Sequence, residues 1–503
     1  MKKLDIGVIV TTLIIVTISC SLAFFTARVV GEPKDINLVA KNVAITFNDT
    51  SIIANGVVSP GWNTTKTFTI TNNSKEEYKY NISIKDLLNT FVTKGYLQYK
   101  ITSTNNGYNM TEFKDIPKSS IATDTILAYS VVIPNGVTQN YTIEFKYAND
   151  ESVDQSDDMG KKLSGTLFIT EGTEEPVTLL SQILNDNPTR STRSNNNNGT
   201  NDFATPLTTT TTGTLYTSTE SITGITDSPK EVYYYAGNTT NNWVKFAGLY
   251  WRIIRTNHDS SIRLLYVGTS HDTTSGYIGK SEFNTSYDSP KYVGYKYGED
   301  TSLDTIRNNT TDSTIKTTID TWYQNNLINY TKYLSTEAVY CNDRELAPGQ
   351  TYSTSSSFKY APYERIYTNK QPTYNCTDIR DAFSVDNTSA KLDYPISLMT
   401  ADEIAFAGGV VYKIMHTPYA WFTSNSSGTQ VSGWWWSLSP YYWSGSYEHV
   451  WLWNSGDAYL REYGVDAAYG VRPVLSLKSC TLYSTGDGSA TNPYTILETE
   501  TGC

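Results

Sequence analysis

The sequence predicts a multidomain protein with an N-terminal transmembrane helix, an all-β sandwich and a C-terminal α+β domain. Three observations lead to this prediction. An uncharged run lies near the N-terminus, short strands rich in Thr, Tyr and Val follow it, and the second half frames two helical segments with strands. The length of 503 residues leaves room for two or three domains.

The N-terminal run, Ile6–Ala27, contains 22 residues without a charge, and Lys2 and Lys3 precede it. About 20 apolar residues suffice to cross a bilayer, and a basic flank places the N-terminus inside. We therefore predict a single-pass anchor within residues 1–30, with the rest of the chain on the extracellular face of the membrane. A cleaved signal peptide ending near Ser21–Ala23 and a lipoprotein signal at Cys20 remain open, and both also export the chain.

Four cysteines follow Cys20, an even number that suits disulfides in an exported protein. They allow three pairings, and we favour the two local loops, Cys341–Cys376 and Cys480–Cys503, over free buried thiols. No metal site is predicted, because the cysteine spacings are long and the four histidines are isolated from one another.

Residues 35–172 contain short strands such as "NVAITF", "KTFTITNNS" and "LSGTLFIT", separated by turns such as Pro60-Gly61 and Asn72-Asn73. This pattern predicts an immunoglobulin-like sandwich. The stretches "VVSPGWNTTKTFTITNNSKEEYKYNI" and "YANDESVDQSDDMGKKLSGTLFI" resemble the N-terminal sandwich of the TasA/camelysin family of bacterial surface-fibre proteins. The resemblance implies surface display and makes a structural subunit of a surface fibre an alternative function.

Residues 173–229 are predicted to contain a short helix at Pro176–Asp186 and then a linker. The stretch "NPTRSTRSNNNNGTNDFATPLTTTTTG" is rich in Asn, Thr and Ser and cannot bury enough apolar surface to fold alone. We therefore expect a flexible spacer between two globular parts.

Residues 230–503 carry both strand and helix signals, which predict an α+β domain. Apolar residues recur at helical steps in Ser313–Leu334. The stretch "PISLMTADEIAFAGG" predicts a strand and then a helix capped by Thr400 and Glu403 and ended at Gly408. The strands "GWWWSLSP", "EHVWLWN" and "GVRPVLSLK" follow.

The segment from Trp434 to Tyr469 is crowded with aromatic residues, because 12 of its 36 residues are Trp or Tyr. We assign Trp436 and Trp443 to a structural frame, and core packing is the alternative for the tyrosines as well. Tyr, Ser, Gly and Asp are the residues that antibody loops use for binding, and surface aromatics mark interaction sites. The predicted ligand-binding residues are Tyr441, Tyr442, Ser444, Ser446, Tyr447, Asp457, Tyr459, Tyr463, Gly464, Asp466 and Tyr469.

The pattern "WWWSLSP…HVW…NS…GVRPVLSLK" resembles the C-terminal part of C-type-lectin-fold variable proteins, the targets of bacterial and phage diversity-generating retroelements. The closing "GVRPV" also resembles the end of the related formylglycine-generating enzyme fold. The resemblance implies a C-type-lectin-like, ligand-binding domain at 230–503 with a variable region at about 434–475. In that family, mutagenesis at template adenines enriches Tyr, Ser, Asp, Gly and Ala at surface positions. Four residues depart from this pattern, because adenine changes in an AAC or AAT codon cannot produce Glu448, Trp451, Trp453 or Glu462.

These observations predict a cell-surface ligand-binding protein, an adhesin or receptor, with a protein ligand. A glycan ligand, and hence a carbohydrate-binding module, is an alternative. We do not predict an enzyme or a cofactor, because the sequence has no nucleophile elbow, phosphate-binding loop or His-Glu-x-x-His motif. The net charge of −11 and the scattered Lys and Arg argue against a nucleic-acid ligand.

Overall fold

The structure is a computed structural model that describes residues 58–93, 95–194, 201–273, 276–414, 433–455, 458–499 and 502–503, and the backbone of 36–40 and 43–49. Its internal contacts divide the chain into two compact units, Met1–Glu175 (unit 1) and Pro176–Cys503 (unit 2). The predicted anchor segment at 1–30 lies outside the described residues.

The described part of unit 1 is built from two sheets that share one core. One sheet has the order β1-β2-β3-β8-β5-β6, and the other has the order β7-β4-β9. Side chains from both sheets, among them Ile70, Ile82, Ile143 and Leu167, meet in the core. The strands are β1 Ile36–Ala40, β2 Val43–Asp49, β3 Asn63–Asn72, β4 Tyr78–Asn89, β5 Leu97–Thr104, β6 Lys114–Asp115, β7 Ser119–Ile133, β8 Thr138–Tyr147 and β9 Leu163–Glu171, and a 3-10 turn spans Ser156–Asp158.

Alternation of buried and exposed positions explains why unit 1 forms sheets. In β8, every second residue from Gln139 to Tyr147 is buried, and the residues between them are at least partly exposed. A strand points successive side chains to opposite faces, so this pattern gives β8 one apolar face for the core. The same alternation runs through β3 and β5.

Unit 2 contains many short strands and a few short helices. Its helices are α1 Leu179–Asp186, α2 Leu303–Ile306, α3 Thr314–Asn326, α4 Ala361–Tyr363 and α5 Ala401–Ala407, with 3-10 segments at Pro290–Val293 and Ile328–Tyr333 and a π-helix at Glu364–Asn369. Its strands are β10 Thr189–Thr192, β11 Thr214–Glu220, β12 Lys230–Tyr234, β13 Trp243–Phe246, β14 Leu249–Thr256, β15 Ile262–Gly268, β16 Gly279–Ser281, β17 Lys296–Tyr297, β18 Thr311–Asp312, β19 Tyr340–Cys341, β20 Phe358–Lys359, β21 Ala382–Phe383, β22 Ile396–Leu398, β23 Trp434–Trp443, β24 Glu448–Asn454, β25 Tyr459–Gly464, β26 Tyr469–Val471, β27 Pro473–Leu477, β28 Tyr483–Thr485 and β29 Tyr494–Ile496.

Two sheets organise unit 2. The larger follows the order β10-β11-β12-β14-β13-β29-β28, and β15 joins β14 to β27, which also pairs with β22. The smaller follows the order β16-β26-β23-β24-β25, with β20 paired to β23. Every residue of β15 and β27 is buried, so these strands lie inside the unit. They read as near-continuous apolar runs because both of their faces are covered.

The structure corrects the predicted fold class. The described fold is mostly β-sheet, so the α+β prediction overstated the helix content of unit 2. None of the helices in the described ranges is both long and apolar enough to span a membrane. The predicted transmembrane helix is thus not part of the described fold, which is mostly β-sheet.

The predicted linker is also corrected. Its described part is not a free spacer, because α1 buries Leu179 and Ile183 in the core of unit 2. Strand β10 pairs with β11, and β11 pairs with β12. The segment is too polar to fold alone, but sheet pairing needs only backbone groups and a few buried side chains such as Leu215. Residues 195–200 lie outside the described part.

Two disulfides close local loops in unit 2. Cys341 bonds Cys376, with Cα atoms 5.8 Å apart, and Cys480 bonds Cys503, with Cα atoms 5.6 Å apart. These are the pairs that we favoured from the sequence. Because disulfides persist in oxidising compartments, they indicate an extracellular protein.

Candidate ligand-binding surface

The aromatic segment forms the central strands of the smaller sheet. Strand β24 pairs antiparallel with β23 and with β25, and β26 pairs parallel with β23. Five of the six tryptophans here are completely buried: Trp435, Trp436, Trp443, Trp451 and Trp453. The Trp436 indole donates a hydrogen bond to the carbonyl oxygen of Ser281 at 2.9 Å. These tryptophans form the rigid layer that holds the strands.

A β-bulge brings two consecutive tyrosines to one face of the sheet. The register between β23 and β24 shifts between Pro440 and Tyr442. As a result, Tyr441 packs edge-on against Trp451, with ring centroids 4.6 Å apart, and Tyr442 stacks on His449 at 4.5 Å. Trp451 and His449 are two residues apart on β24 and therefore share a face. A bulge inserts an extra residue and re-aims the side chains beside it.

Aromatic rings make a continuous series, which we call the aromatic row, that crosses this face and ends at Tyr459 of the edge strand β25. Three of its rings are well exposed, Tyr287 at 41%, Tyr367 at 40% and Tyr412 at 44%. Neighbouring centroids lie between 4.4 and 6.0 Å apart, within the range of favourable aromatic contacts. In order along the surface, the nine rings are Tyr287, Tyr447, His449, Tyr442, Tyr441, Tyr363, Tyr367, Tyr412 and Tyr459.

A second aromatic cluster lies on the opposite face of the sheet. Trp434, Tyr463 and Tyr469 contact one another with ring centroids 5.1 to 5.7 Å apart. The Arg461 guanidinium lies 4.6 Å from the Trp434 ring. In β25, Tyr463 lies opposite Val450 and Glu462 lies opposite Trp451, so Tyr463 and the aromatic row are on different faces.

The predicted site residues therefore divide. Tyr442, Tyr447 and Tyr459 belong to the aromatic row, and Ser444 and Ser446 lie in the turn between β23 and β24. Asp466 accepts a hydrogen bond from the Tyr447 hydroxyl. Tyr463 and Tyr469 belong to the second cluster, and Asp457 lies outside the described residues.

Two predicted binding residues are not displayed. Tyr441 is only 6% exposed, because the bulge turns it onto Trp451. Gly464 is buried beneath Tyr447, and a Cβ atom there would lie 2.2 Å from Tyr447 Cε1. We therefore correct their assignment from ligand-binding residues to parts of the frame.

The structure also adds residues that the sequence did not single out. Tyr287, Tyr363, Tyr367 and Tyr412 reach the row from loops and short helices far from the aromatic segment in sequence. No local spacing links them to it, so only their tyrosine identity gave a signal. His449 is not among the binding residues predicted from the sequence, and its ring stacks on Tyr442.

Burial and nearby carboxylates shift the pKa values of three groups in the row. Burial raises the pKa of the Tyr442 hydroxyl, and the negative charge of Glu462 raises it further. Burial lowers the pKa of the His449 imidazole, which opposes the effect of nearby Asp466. Burial, then the hydrogen bond to Asp466, raises the pKa of the Tyr447 hydroxyl. The phenols and the imidazole are thus neutral near pH 7.

Beneath the row, Glu448 is completely buried. Its Oε1 lies 2.7 Å from the Tyr360 hydroxyl, and that hydroxyl lies 2.9 Å from the carbonyl oxygen of Pro290. Burial raises the pKa of the Glu448 carboxyl well above its usual range. Its backbone N–H donates to the Tyr287 carbonyl oxygen at 3.0 Å, which ties the buried strand to an exposed ring of the row.

A buried lysine of unit 2 pairs with three aspartates. Lys316 is fully buried, and its Nζ contacts Asp312 at 3.0 Å, Asp320 at 2.5 Å and Asp393 at 2.6 Å. These three aspartates are the described carboxylates that lie close enough to hold a metal ion, and the ammonium group occupies their centre. We therefore interpret the cluster as a structural ion-pair network.

Comparisons with known proteins add little. No protein-family model and no curated protein matches the chain. Three chains among solved structures match. One is described as "AvmM Catalyzes Macrocyclization in Alchivemycin A Biosynthesis", with 10% identity, coverage of 29% of this chain and 100% of that chain, and a TM-score of 0.15. A likeness with so low a TM-score carries no argument about this protein.

Proposed function

We propose that this protein is an extracellular ligand-binding protein whose aromatic row binds a protein partner. The observation that carries the proposal is the continuity of the nine rings, three of which are at least 40% exposed. Tyrosine supplies a large, rigid and amphipathic contact at low cost in conformational entropy. Tyr, Trp and Arg are also the residues that dominate binding energy at protein interfaces.

The packing beneath the row indicates that this surface is already ordered before a partner binds. Tyr441 and Tyr442 rest on Trp451 and His449 of β24, whose neighbours Val450 and Leu452 are completely buried. Buried rings in close contact leave the tyrosines little freedom to move. A surface that is ordered before binding loses less conformational entropy when a partner arrives.

The proposal is tested with the full chain, immobilised and screened against purified extracellular proteins and against a glycan array. Each ligand found is then measured against the variants Tyr287→Ala and Tyr367→Ala. The matched control is Tyr233→Ala, a half-buried tyrosine of β12 outside the row. Loss of a hot-spot residue costs about 2 kcal/mol or more, so we expect at least one row variant to weaken a protein ligand about thirtyfold.

The control should change affinity less than about twofold, because surface substitutions away from a contact rarely exceed 0.5 kcal/mol. Protein ligands that bind both row variants as tightly as the wild type would contradict the proposal. Ligands found only on the glycan array, and lost with the same variants, would support the carbohydrate-binding alternative. That alternative rests on the three exposed rings, whose faces can stack on sugars.

We include diversification by a retroelement in the proposal, restricted to positions of the row and of the adjoining turn that are not fully buried. Glu448, Trp451 and Trp453 do not fit an adenine-derived pattern, and all three are completely buried. Their burial supports a frame role that needs no variation. The positions at which variation is expected are Tyr442, Ser444, Ser446 and Tyr447.

Sequencing this gene and its flanking DNA across one population tests the diversification. We expect substitutions to concentrate at the four positions, to spare Glu448 and Gly464, and to be accompanied by a near-copy of the codons beside a reverse-transcriptase gene. Uniform variation along β23 and β24, or invariant Tyr442 and Tyr447 beside varying buried residues, would contradict it.

A further inference from the structure

The two ends of the aromatic row differ in whether a cation lies over their rings. At one end, the chain places its own cations on the rings. Lys359 Nζ lies 4.1 Å from the centroid of Tyr363, and Lys370 Nζ lies 5.3 Å from that of Tyr367. A cation near the face of an aromatic ring is attracted by the negative charge of that face.

The other end, which we call the open end, consists of Tyr287, Tyr447, His449 and Tyr442. Within the described ranges, no lysine or arginine lies over these four rings. The carboxylate that contacts these rings is Asp466, which accepts a hydrogen bond from the Tyr447 hydroxyl. Glu462 also acts on Tyr442, but its carboxylate accepts its hydrogen bond from Tyr412, outside the open end. Lys359 lies opposite Tyr442 in the strand pairing, but its ammonium lies over Tyr363. The open end thus combines aromatic faces with the Asp466 carboxylate, and no described cation lies over its rings.

In the open end, the carboxylate of Asp466 lies beside the stacked rings of Tyr287 and Tyr447. Tyr287 and Tyr447 stack with centroids 4.4 Å apart and planes inclined by 22°. The Tyr447 hydroxyl donates to Asp466 Oδ1, which fixes the position of that carboxylate. Tyr287 is 41% exposed, so part of the pair is accessible to a partner.

We propose that the open end binds an arginine side chain of the protein partner, with the guanidinium stacked on Tyr287 and paired with Asp466. This inference rests on the proposed function of the row. Ring faces and carboxylates both favour a cation, so their effects add. Arginine fits better than lysine, because its guanidinium is planar, stacks on aromatic faces and donates two parallel hydrogen bonds to a carboxylate.

The net charge of −11 adds a general attraction for basic partners, which the test has to separate from the specific site. The probes are capped hexa-arginine and hexa-lysine peptides, which carry equal charge. Their affinities for the immobilised full chain are measured by biolayer interferometry in 150 mM NaCl. The variants are Tyr287→Ala, Tyr287→Phe and Asp466→Asn.

Two matched controls make the same chemical changes elsewhere. Tyr233→Ala removes a tyrosine of β12, and Asp386→Asn neutralises an exposed aspartate that accepts a hydrogen bond from Thr336 at 2.7 Å. Asp466 likewise accepts from a hydroxyl group, so the comparison is close.

We expect hexa-arginine to bind about fivefold more tightly than hexa-lysine, and Tyr287→Ala and Asp466→Asn each to weaken hexa-arginine about fivefold. Tyr287→Phe keeps the ring and should bind like the wild type, as should both controls. Equal affinity for the two peptides, unchanged binding by the two weakening variants, or an equal loss in the controls would overturn the inference.

The outcome also separates this inference from the proposed function. A protein ligand that depends on Tyr367 but is indifferent to Asp466 and to arginine would leave the function standing and remove the arginine site. Protein ligands indifferent to every row variant would remove both.

Discussion

At the scale of single residues, Glu448 is the most informative group, because a buried carboxyl without a cation partner has to be neutral. The Tyr360 hydroxyl has one proton and two oxygen neighbours, Glu448 Oε1 at 2.7 Å and the Pro290 carbonyl oxygen at 2.9 Å. If the phenol donates to Pro290, the carboxyl must carry a proton and donate to the phenol. The raised pKa of Glu448 agrees with this arrangement.

Glu448→Gln is expected to stabilise unit 2 at pH 7 and not at pH 4. The pKa of Glu448 is higher in the folded than in the unfolded chain, so the wild type loses stability as pH rises above the unfolded value of about 4.3. Glutamine keeps the shape and is neutral throughout. We expect a gain of at least about 1 kcal/mol in the free energy of unfolding at pH 7, since one pKa unit corresponds to about 1.4 kcal/mol.

The measurement is urea unfolding followed by tryptophan fluorescence, which reports on unit 2 because only Trp62 of the 11 tryptophans lies in unit 1. The control is Glu337→Gln, at an exposed position, which should show no such pH dependence. A gain that is equal at pH 4 and pH 7 would show that Glu448 is not held protonated.

Gly464→Ala is expected to destabilise unit 2 and to weaken any ligand of the open end. The new Cβ would lie 2.2 Å from Tyr447 Cε1, so the ring has to leave its stack on Tyr287. Overpacking of this kind costs about 1–3 kcal/mol. The double variant Gly464→Ala/Tyr447→Ala removes the clash and should unfold at the same urea concentration as Tyr447→Ala alone. If the double variant lost as much stability as the two single variants together, the clash of the new Cβ would not be with Tyr447.

At the scale of elements, α3 depends on a charge inside the unit. Lys316 is fully buried, and its Nζ bonds to Asp320 of the same helix and to Asp393, which precedes β22. Burial acts to lower the pKa of Lys316, but the three aspartates, Asp320 first, raise it above its usual value. The ammonium therefore stays charged and links the helix to the sheet.

Lys316→Met is expected to lower the free energy of unfolding by about 3 kcal/mol, because Asp320 would keep a buried charge without its partner. Urea unfolding measures the loss. Lys316→Met/Asp320→Asn removes the stranded charge and should recover part of it. Lys291→Met, at a partly exposed lysine, is the control and should have little effect. A double variant as unstable as the single one would argue against the ion-pair explanation.

At the scale of the whole molecule, the first disulfide constrains a long stretch of unit 2. Cys341 and Cys376 are 35 residues apart, and the loop between them carries β20 and the ring residues Tyr363 and Tyr367. A cross-link stabilises mainly by reducing the freedom of the unfolded chain. Replacing both cysteines by alanine should therefore lower the free energy of unfolding by about 3 kcal/mol.

The measurement is again urea unfolding, with the wild type compared before and after reduction. For this comparison Cys480 and Cys503 are replaced by alanine in both proteins, so that only the first disulfide is reduced. Reduction of the protein that keeps Cys341 and Cys376 should then lower its stability to that of the protein with Cys341→Ala/Cys376→Ala. A variant as stable as the wild type would show that the loop is held by its other contacts alone.

Several features follow from local sequence, because they depend on neighbouring residues. Thr400 and Glu403 form a capping box at the start of α5, and Gly408 ends it with φ of 115°. The strands "EHVWLWN" and "GVRPVLSLK" follow from runs of β-forming residues. The two short-range disulfide pairs also matched, since they close loops of moderate length.

The site could be predicted only in part. Tyr442 and Tyr447 were found from composition alone, but Tyr441 has the same composition and is buried. The difference arises from the shift in register between β23 and β24, which depends on the pairing of whole strands. Tyr463 was placed with them, yet strand alternation puts it on the other face.

The sequence by itself thus determined which segment is rich in aromatic residues, which segments form strands, where the helices are capped and which cysteines pair. Only the tertiary structure decided which rings are exposed, that Tyr287, Tyr367 and Tyr412 join them, and that the described part of the Asn/Thr-rich segment belongs to unit 2. The physical reason is that exposure depends on contacts between residues far apart in the chain, whereas caps, strand preferences and turns depend on adjacent residues.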